Sequence, residues 1–339
     1  MSRTLKMAIV GCGDIASYTA LFARLNRRIQ LTACCDPLPQ RAEAFAARNH
    51  IPHFFREYER MLDSVALDAV YLAVPHHLHF EMAAEAIDRE LHVLLEKPIT
   101  RTLEEGKEIT RQARARRARL GVNYQYRYDS GCHALARAVQ AGELGEIYYV
   151  RCNIPFHRQR SYFTGASWHA SLVQSGGGTL LTQGSHMLDI ALWALGLQAR
   201  QAMGMAARRR FQEVEVEDLA QGILEMENGA LVQICSSMIA NPEQSQSIEV
   251  YGERGTALYS DRPLPHVRFR GIQARKRRPP VRGLHALQRS IEGFRAWVME
   301  DKPYLIPAEQ ALPVLAAVEA IYRSAQSGVR EEVPRLDQP

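Results

Sequence analysis

Residues 7–16, Met7-Ala8-Ile9-Val10-Gly11-Cys12-Gly13-Asp14-Ile15-Ala16, decide how the first half of the chain is read. An apolar run leads straight into G-x-G-x-x-A, and a helix-compatible stretch follows from Ile15 to Leu25. A second apolar run, Leu31-Thr32-Ala33-Cys34-Cys35, ends in Asp36. Each position has a physical task in a dinucleotide-binding unit. Gly11 permits the tight strand-to-helix turn, Gly13 lets backbone approach a pyrophosphate, and Ala16 allows close helix–strand packing. The free N–H groups and dipole of the helix that opens at Asp14 and Ile15 favour phosphate charge. Asp36 is expected to accept hydrogen bonds from both ribose hydroxyls and to repel a 2′-phosphate, which favours NAD over NADP.

Working outward, 339 residues suffice for two cores, and the expected division is 1–122 and 123–339. A chain 46% hydrophobic and 23% charged is ordinary globular material. The net charge of +5 is small for this length. The basic runs Arg208-Arg209-Arg210 and Arg275-Lys276-Arg277-Arg278 lack interleaved aromatics, so they read as solvated loops, not a nucleic-acid surface. No apolar stretch reaches membrane-spanning length, and the N-terminal apolar run is a strand and not a signal peptide. The cysteines at 12, 34, 35, 132, 152 and 235 show no C-x-x-C spacing. That pattern fits a reducing, cytoplasmic compartment with neither disulfide framework nor zinc site.

The first ~120 residues alternate strand and helix patterns, the signature of a parallel, doubly wound α/β sheet. Residues 41–48, 58–63, 80–89 and 103–117 read as helices; 54–55, 69–74, 93–95 and 120–124 read as strands. The continuous apolar run Ala69–Val74 is typical of a strand buried on both faces. Beyond Asn123, alternating runs at 147–154, 219–226, 230–237 and 247–251 mix with helical patterns at 132–141, 186–195, 287–299 and 309–325. Asn228-Gly229 marks a hairpin and 252–255 another turn. This half reads as an α+β domain on a mostly antiparallel open sheet, with 263–283 as a mobile loop or ribbon.

Ligands of open parallel sheets bind outside the carboxyl ends of the strands, so 11–16, Pro75–His79 and Glu96-Lys97-Pro98 face the cofactor. A lysine between an acid and a proline at a strand end is pinned, which suits a catalytic role. His76, His77 and His79 raise a metal reading, but no partner motif accompanies them; contact with the cofactor ribose or plain packing is preferred. Three glycines, Gly176–Gly178, are expected to open room for a substrate. His186 starts an amphipathic helix, where the dipole would keep it neutral and competent as a base; the alternative is a core histidine satisfied by Asp189 or a backbone group. Arg158, Arg160, Tyr162, Trp168 and His169 precede the glycines and are candidate substrate contacts, suited to a sugar with an anionic group.

Taken together, the chain resembles the glucose–fructose oxidoreductase, inositol dehydrogenase and rhizopine catabolism (Gfo/Idh/MocA) family over nearly its whole length. The resemblance rests on Ala8–Gly13, Cys35-Asp36-Pro37, Val74-Pro75 with His79, Glu96-Lys97-Pro98, Asn123–Arg127, Gly142–Ile147 and the segment from Gly176 through His186 to Asp189. Val216-Glu217-Asp218, Asn228-Gly229-Ala230, Val250-Tyr251-Gly252 and Gly255-Thr256 continue it. It implies NAD(P)-dependent hydride transfer between nicotinamide C4 and a carbinol carbon of a sugar, nucleotide sugar or cyclitol, with family members accepting either cofactor. Lys97 would hydrogen-bond the reacting oxygen and His186 would act as general base. Gly11, Gly13, Asp14, Ile15, Asp36, Pro75, His76, His79, Glu96, Lys97 and Gln125 are the implied cofactor contacts. Lys97, Arg127, Arg158, Tyr162, Trp168, His169, Thr182 and His186 are the implied substrate contacts. Where many members carry Asp four residues before the histidine, this chain has Thr182, which argues against copying inositol dehydrogenase specificity. Thr182 would instead meet the substrate or His186.

The family also implies a homodimer or homotetramer built on the open sheet face. Two other classes share the fold: glycoside hydrolysis by transient oxidation with tightly held NAD, and non-catalytic dinucleotide sensing, as in a yeast galactose-pathway regulator. Lys97 and His186 together argue against the sensor, because a pure sensor has no need for both.

Overall fold

The structure, a computed structural model, describes residues 4–275 and 277–336. The chain forms two compact units, one from residues up to 100, 104–125 and 280–309, the other from 101–103, 126–279 and 310 onward. The expected single crossing at 122/123 therefore needs correction, because the chain returns to the first unit at 280. The cause is a helix whose buried face, Leu287, Ser290, Ile291 and Phe294, recurs every three to four residues and needs an apolar partner.

In the first unit, strands β1 (Leu5–Val10), β2 (Ile29–Cys35), β3 (His53–Phe55), β4 (Ala69–Leu72), β5 (His92–Leu95) and β6 (Leu120–Val122) make a parallel sheet in the order β3-β2-β1-β4-β5-β6. The connecting helices are α1 (Asp14–Arg24), α2 (Pro39–Asn49), α3 (Tyr58–Ser64), α4 (His79–Asp88) and α5 (Leu103–Ala115). Every residue of β4 is buried, as its unbroken apolar run demands. Strand order reverses between β1 and β4, the switch point where such sheets take their ligands.

The second unit holds β7 (Ile147–Pro155), β8 (Ala199–Ala207), β9 (Leu219–Met226), β10 (Leu231–Ser237), β11 (Ser247–Gly252), β12 (Thr256–Ser260), β13 (His266–Arg270) and β14 (Glu331–Glu332), in the order β13-β12-β11-β7-β10-β9-β8-β14. All its pairs are antiparallel except β7 with β10. Helices α6 (Ser130–Gln140), α7 (Ser161–Thr164), α8 (Leu172–Ser175), α9 (Ser185–Leu195) and α11 (Leu312–Ser327) belong to this unit, whereas α10 (Ala286–Glu300) belongs to the first and packs on α1. Arg28 pairs with Glu292 and Glu300 at 2.6 and 3.0 Å across that contact.

Strand β8 escapes sequence reading because Ala-Arg-Gln-Ala-Met-Gly-Met-Ala-Ala holds no β-branched or aromatic residue; pairing with β9 makes it a strand. The stretch 263–283, read as a loop or ribbon, contains β13, laddered onto β12. Lys276 lies outside the described residues. The run Arg208–Arg210 is a turn wound around Asp218, whose carboxylate accepts the N–H groups of Arg209, Arg210 and Phe211 at 2.8–2.9 Å. On one face of the sheet Tyr149, Met203, Met205, Ile223 and Leu231 stay exposed. Among the described residues no helix is long and apolar enough to cross a membrane.

Candidate active site and cofactor loop

The loop after β1 is built as its spacing requires. Gly11 has φ +83°, and a Cβ there would lie 2.2 Å from the Ala73 carbonyl oxygen, so the residue after β4 enforces this glycine. A Cβ on Gly13 would meet nothing within 4 Å, and no side chain caps α1 among the described residues. The loop therefore leaves open space at a helix N-terminus, which fits a dinucleotide pyrophosphate. Asp36 does more than wait for a ribose. Its carboxylate accepts the N–H of Cys12 and of Leu38, each at 3.0 Å, and Arg41 stands 3.7 Å away. The acid thus locks the glycine loop to the end of β2.

At the next strand ends the structure changes the assignment of two residues. His79 is fully buried, with Nδ1 2.8 Å from the Pro98 carbonyl and Nε2 3.0 Å from that of Val74. It brackets two strand-end loops, each ring nitrogen lying within hydrogen-bond distance of a backbone carbonyl, so its ring serves the protein's own backbone. His76 is buried beside it, rings 5.4 Å apart. Glu96 is buried too: its Oε1 accepts from the Tyr71 hydroxyl and from Asn123 Nδ2 at 2.6 Å, and Oε2 faces the Lys97 N–H at 3.3 Å. Its carboxylate holds protein in place before it could hold a ligand. Lys97 itself, half-buried, follows directly. Gln125 opens a short turn with a buried Oε1 that meets no donor among the described residues, a second feature that fits a ligand amide.

In the second unit, the helical run that contains His186 begins at Thr179, passes through a π turn over Leu180–Gly184 and continues as α9. His186 consequently sits inside a helix and not at its start, and the dipole argument for its neutrality falls. The helix start is taken by Glu217, whose carboxylate accepts Gly178 N–H at 2.7 Å, Leu180 N–H at 2.9 Å and the Tyr322 hydroxyl at 2.8 Å. Burial pushes this carboxyl up while those donors pull it back. A Cβ on Gly178 would fall 1.9 Å from the Glu217 carbonyl, and one on Gly177 2.5 Å from the Tyr322 hydroxyl. The glycines make room for Glu217 and Tyr322, not for a substrate.

The Tyr126 ring meets His186 edge-on, centroids 5.1 Å apart, and its hydroxyl accepts from Gln246. The Thr182 hydroxyl donates to the Gly178 carbonyl at 2.7 Å. Arg127 is removed from the substrate contacts altogether. Only 2% exposed, it forks onto Asp189 at 2.7–3.2 Å, reaches the Gln310 carbonyl and lies over Trp193. Asp189, held up by burial and down by Arg127, is thereby committed to the arginine and does not explain His186 as a core residue. The other aromatic and basic candidates do converge. Trp168 lies on His169 at 3.7 Å, His169 stacks on Tyr162 at 4.2 Å, and Arg158 covers Tyr162 at 5.7 Å while pairing with Glu243 at 3.4 Å. Gln183 donates to the Tyr162 hydroxyl at 3.4 Å, which joins this stack to the π turn. Arg160 points away to Glu213. Tyr71, Tyr126, Glu217, Gln246 and Tyr322 were not named as site residues from the sequence, although Tyr126 and Glu217 lie in motifs that carry the family resemblance, since their partners lie 25–141 positions off.

Two measurements follow from this geometry. Asp189→Asn strands a buried guanidinium and is expected to cost about 3–5 kcal/mol in urea unfolding, most of it recovered in Arg127→Met/Asp189→Leu. Burial holds His79 at about 4, against the ordinary 6.5. The unfolded chain therefore takes up this proton first as pH falls. The stabilisation is complete above 6.5 and is lost progressively down to 4, up to roughly 3 kcal/mol. In His79→Gln, unfolding free energy should fall less steeply across that window.

Residues 5–124 match the oxidoreductase family with NAD-binding Rossmann fold, and residues 132–258 match the GFO/IDH/MocA C-terminal domain. The D-glucoside 3-dehydrogenase of Escherichia coli (strain K12) is 28% identical, over 98% of this chain and 98% of that protein. The dTDP-3,4-didehydro-2,6-dideoxy-alpha-D-glucose 3-reductase of Saccharopolyspora spinosa is 24% identical, over 97% and 99%. Among solved structures, the WlbA dehydrogenase from Bordetella pertussis, in complex with NADH and UDP-GlcNAcA, superposes with a TM-score of 0.87 at 27% identity, covering 99% of this chain and all of that one. With both domain types matched in order over most of its length, the chain belongs to the Gfo/Idh/MocA family of oxidoreductases.

Proposed function

We propose that this protein is an NAD-dependent dehydrogenase that oxidises the C3 carbinol of a pyranose ring, in a glycoside or a nucleotide sugar. The observation that carries the reading is Lys97, fixed at the carboxyl end of β5 beside the switch point of a dinucleotide fold. Two of the full-length relatives are named for chemistry at position 3 of a sugar, which supports C3 as the reacting carbon. When bound, the oxidised nicotinamide supplies a hydride acceptor at C4. Gly13 and the N-terminus of α1 would hold the pyrophosphate, Asp36 the adenosine ribose, and Gln125 the carboxamide. Lys97 donates a hydrogen bond to the reacting oxygen and stabilises the charge that develops there as the proton leaves. His186 takes that proton, its ring plane set by the edge of Tyr126. The Trp168–His169–Tyr162 stack offers an aromatic wall for the C–H face of a sugar. Thr182 donates its hydroxyl proton to the Gly178 carbonyl and so belongs to the π turn beside this wall.

The apolar side chains on the open face of the second-unit sheet support a homodimer or homotetramer joined there. Ile223→Asp, at the centre of that face, is expected to yield a smaller species by light scattering, without loss of NADH binding. For the chemistry, a panel of methyl glucosides and nucleotide sugars deuterated at C3 is incubated with NAD+ and with NADP+. Deuterium should appear in the reduced cofactor, faster with NAD+. Lys97→Met and His186→Ala should each lower kcat/KM by about a hundredfold or more while NADH still binds. Cleavage of the glycoside with no net reduced cofactor would assign internal-redox hydrolysis instead.

A further inference from the structure

A continuous hydrogen-bonded chain of buried polar side chains crosses the first unit at the carboxyl end of its sheet. Thr19 of α1 donates to the Tyr71 hydroxyl at 3.0 Å; Tyr71 donates to Glu96 Oε1; Asn123 Nδ2 donates to the same oxygen at 2.6 Å. Asn123 Oδ1 in turn accepts the Ser290 hydroxyl at 2.8 Å, and Ser290 meets the Tyr304 hydroxyl at 2.9 Å. All six residues are buried, so water does not compete for any link. Ser290 is 167 positions from Asn123 and lies on the buried face of α10, the helix the chain brings back after completing most of the second unit.

The chain has Glu96 at its centre, and Glu96 immediately precedes Lys97. One Glu96 oxygen is fixed by Tyr71 and Asn123 while the other faces the Lys97 N–H. On the far side of the lysine, the Pro98 carbonyl is held by His79. The backbone on both sides of Lys97 is therefore tied down. The link that involves Ser290 is the one that a distant part of the sequence supplies. A serine on an otherwise apolar helix face is a costly residue unless its hydroxyl serves a partner, and here it serves the residue that orients Glu96.

We propose that Ser290 is a positioning residue for Lys97, acting through Asn123 and Glu96, so that the returning helix completes the site it never enters. The proposal rests on the catalytic role given to Lys97 above. Removing the hydroxyl leaves Asn123 Oδ1 without its donor, loosens Glu96 and displaces the root of the Lys97 side chain, and misplacements of that kind cost about tenfold or more in rate.

The test uses the full-length protein with Ser290→Ala, Ser290→Thr and Tyr71→Phe. Because the chain has only five lysines, reductive methylation with 13C-formaldehyde gives a countable set of dimethyl-lysine signals, with Lys97 assigned by Lys97→Arg. Ser290→Ala and Tyr71→Phe should shift or broaden the Lys97 signal and leave the other four in place. In unmethylated protein they should lower kcat about tenfold with NADH affinity unchanged, and Ser290→Thr should restore both. An unmoved Lys97 signal overturns the proposal whether or not a substrate has been found. Lowered thermal stability with unaltered kcat and signal would reduce the chain to structural glue and overturn it equally. A moved signal in a protein with no turnover on any sugar would keep the positioning role and reject the dehydrogenase reading.

Discussion

Buried carboxylates are the constraint on which this structure turns. A carboxylate taken out of water stays ionised only if donors surround it, so each buried acid dictates where several N–H or O–H groups lie. Asp36 gathers the backbone of Cys12 and Leu38, Glu96 gathers Tyr71 and Asn123, and Glu217 gathers Gly178, Leu180 and Tyr322. Asp218 winds a basic turn around itself, and Asp189 consumes Arg127. Each of these acids fixes the place of the groups that donate to it.

That constraint separates buried residues that hold the site from partly exposed ones around it. Glu96, His79 and Arg127 carry conspicuous chemistry, yet their polar atoms are spent inside the protein. Lys97, His186 and the stacked wall of Trp168, His169 and Tyr162 retain partial exposure. The π turn before His186 belongs to the same logic. An additional residue per turn alters which side chains share the face of the helix, and such turns concentrate at functional sites.

The parallel half was legible because its signals are local. Strand β4 is an unbroken apolar run, the glycine loop has fixed spacing, and each helix carries its own period. The second half was partly legible: β9 was recovered to the residue, and the Asn228-Gly229 hairpin with it. Strand β8 was not, since nothing in its composition favours a strand until β9 offers a ladder, and β13, although His266–Arg270 alternates Val and Phe with basic residues, was read only as part of a loop or ribbon. The return of α10 to the first unit left no mark in the sequence beyond an amphipathic face that could have packed on either unit.

The sequence by itself determined the dinucleotide fold, the place of Lys97 at a strand end and the family, because covalent spacing and side-chain period act over a few residues and survive in a linear string. Only the tertiary structure decided that Glu96 is an anchor, that His79 is a bracket, that Arg127 belongs to Asp189 and that His186 lies within a helix. Those outcomes depend on which polar groups are buried together, and burial couples residues separated by 19 to 167 positions. No local pattern encodes that pairing, since the same side chain in water would be free to take any partner.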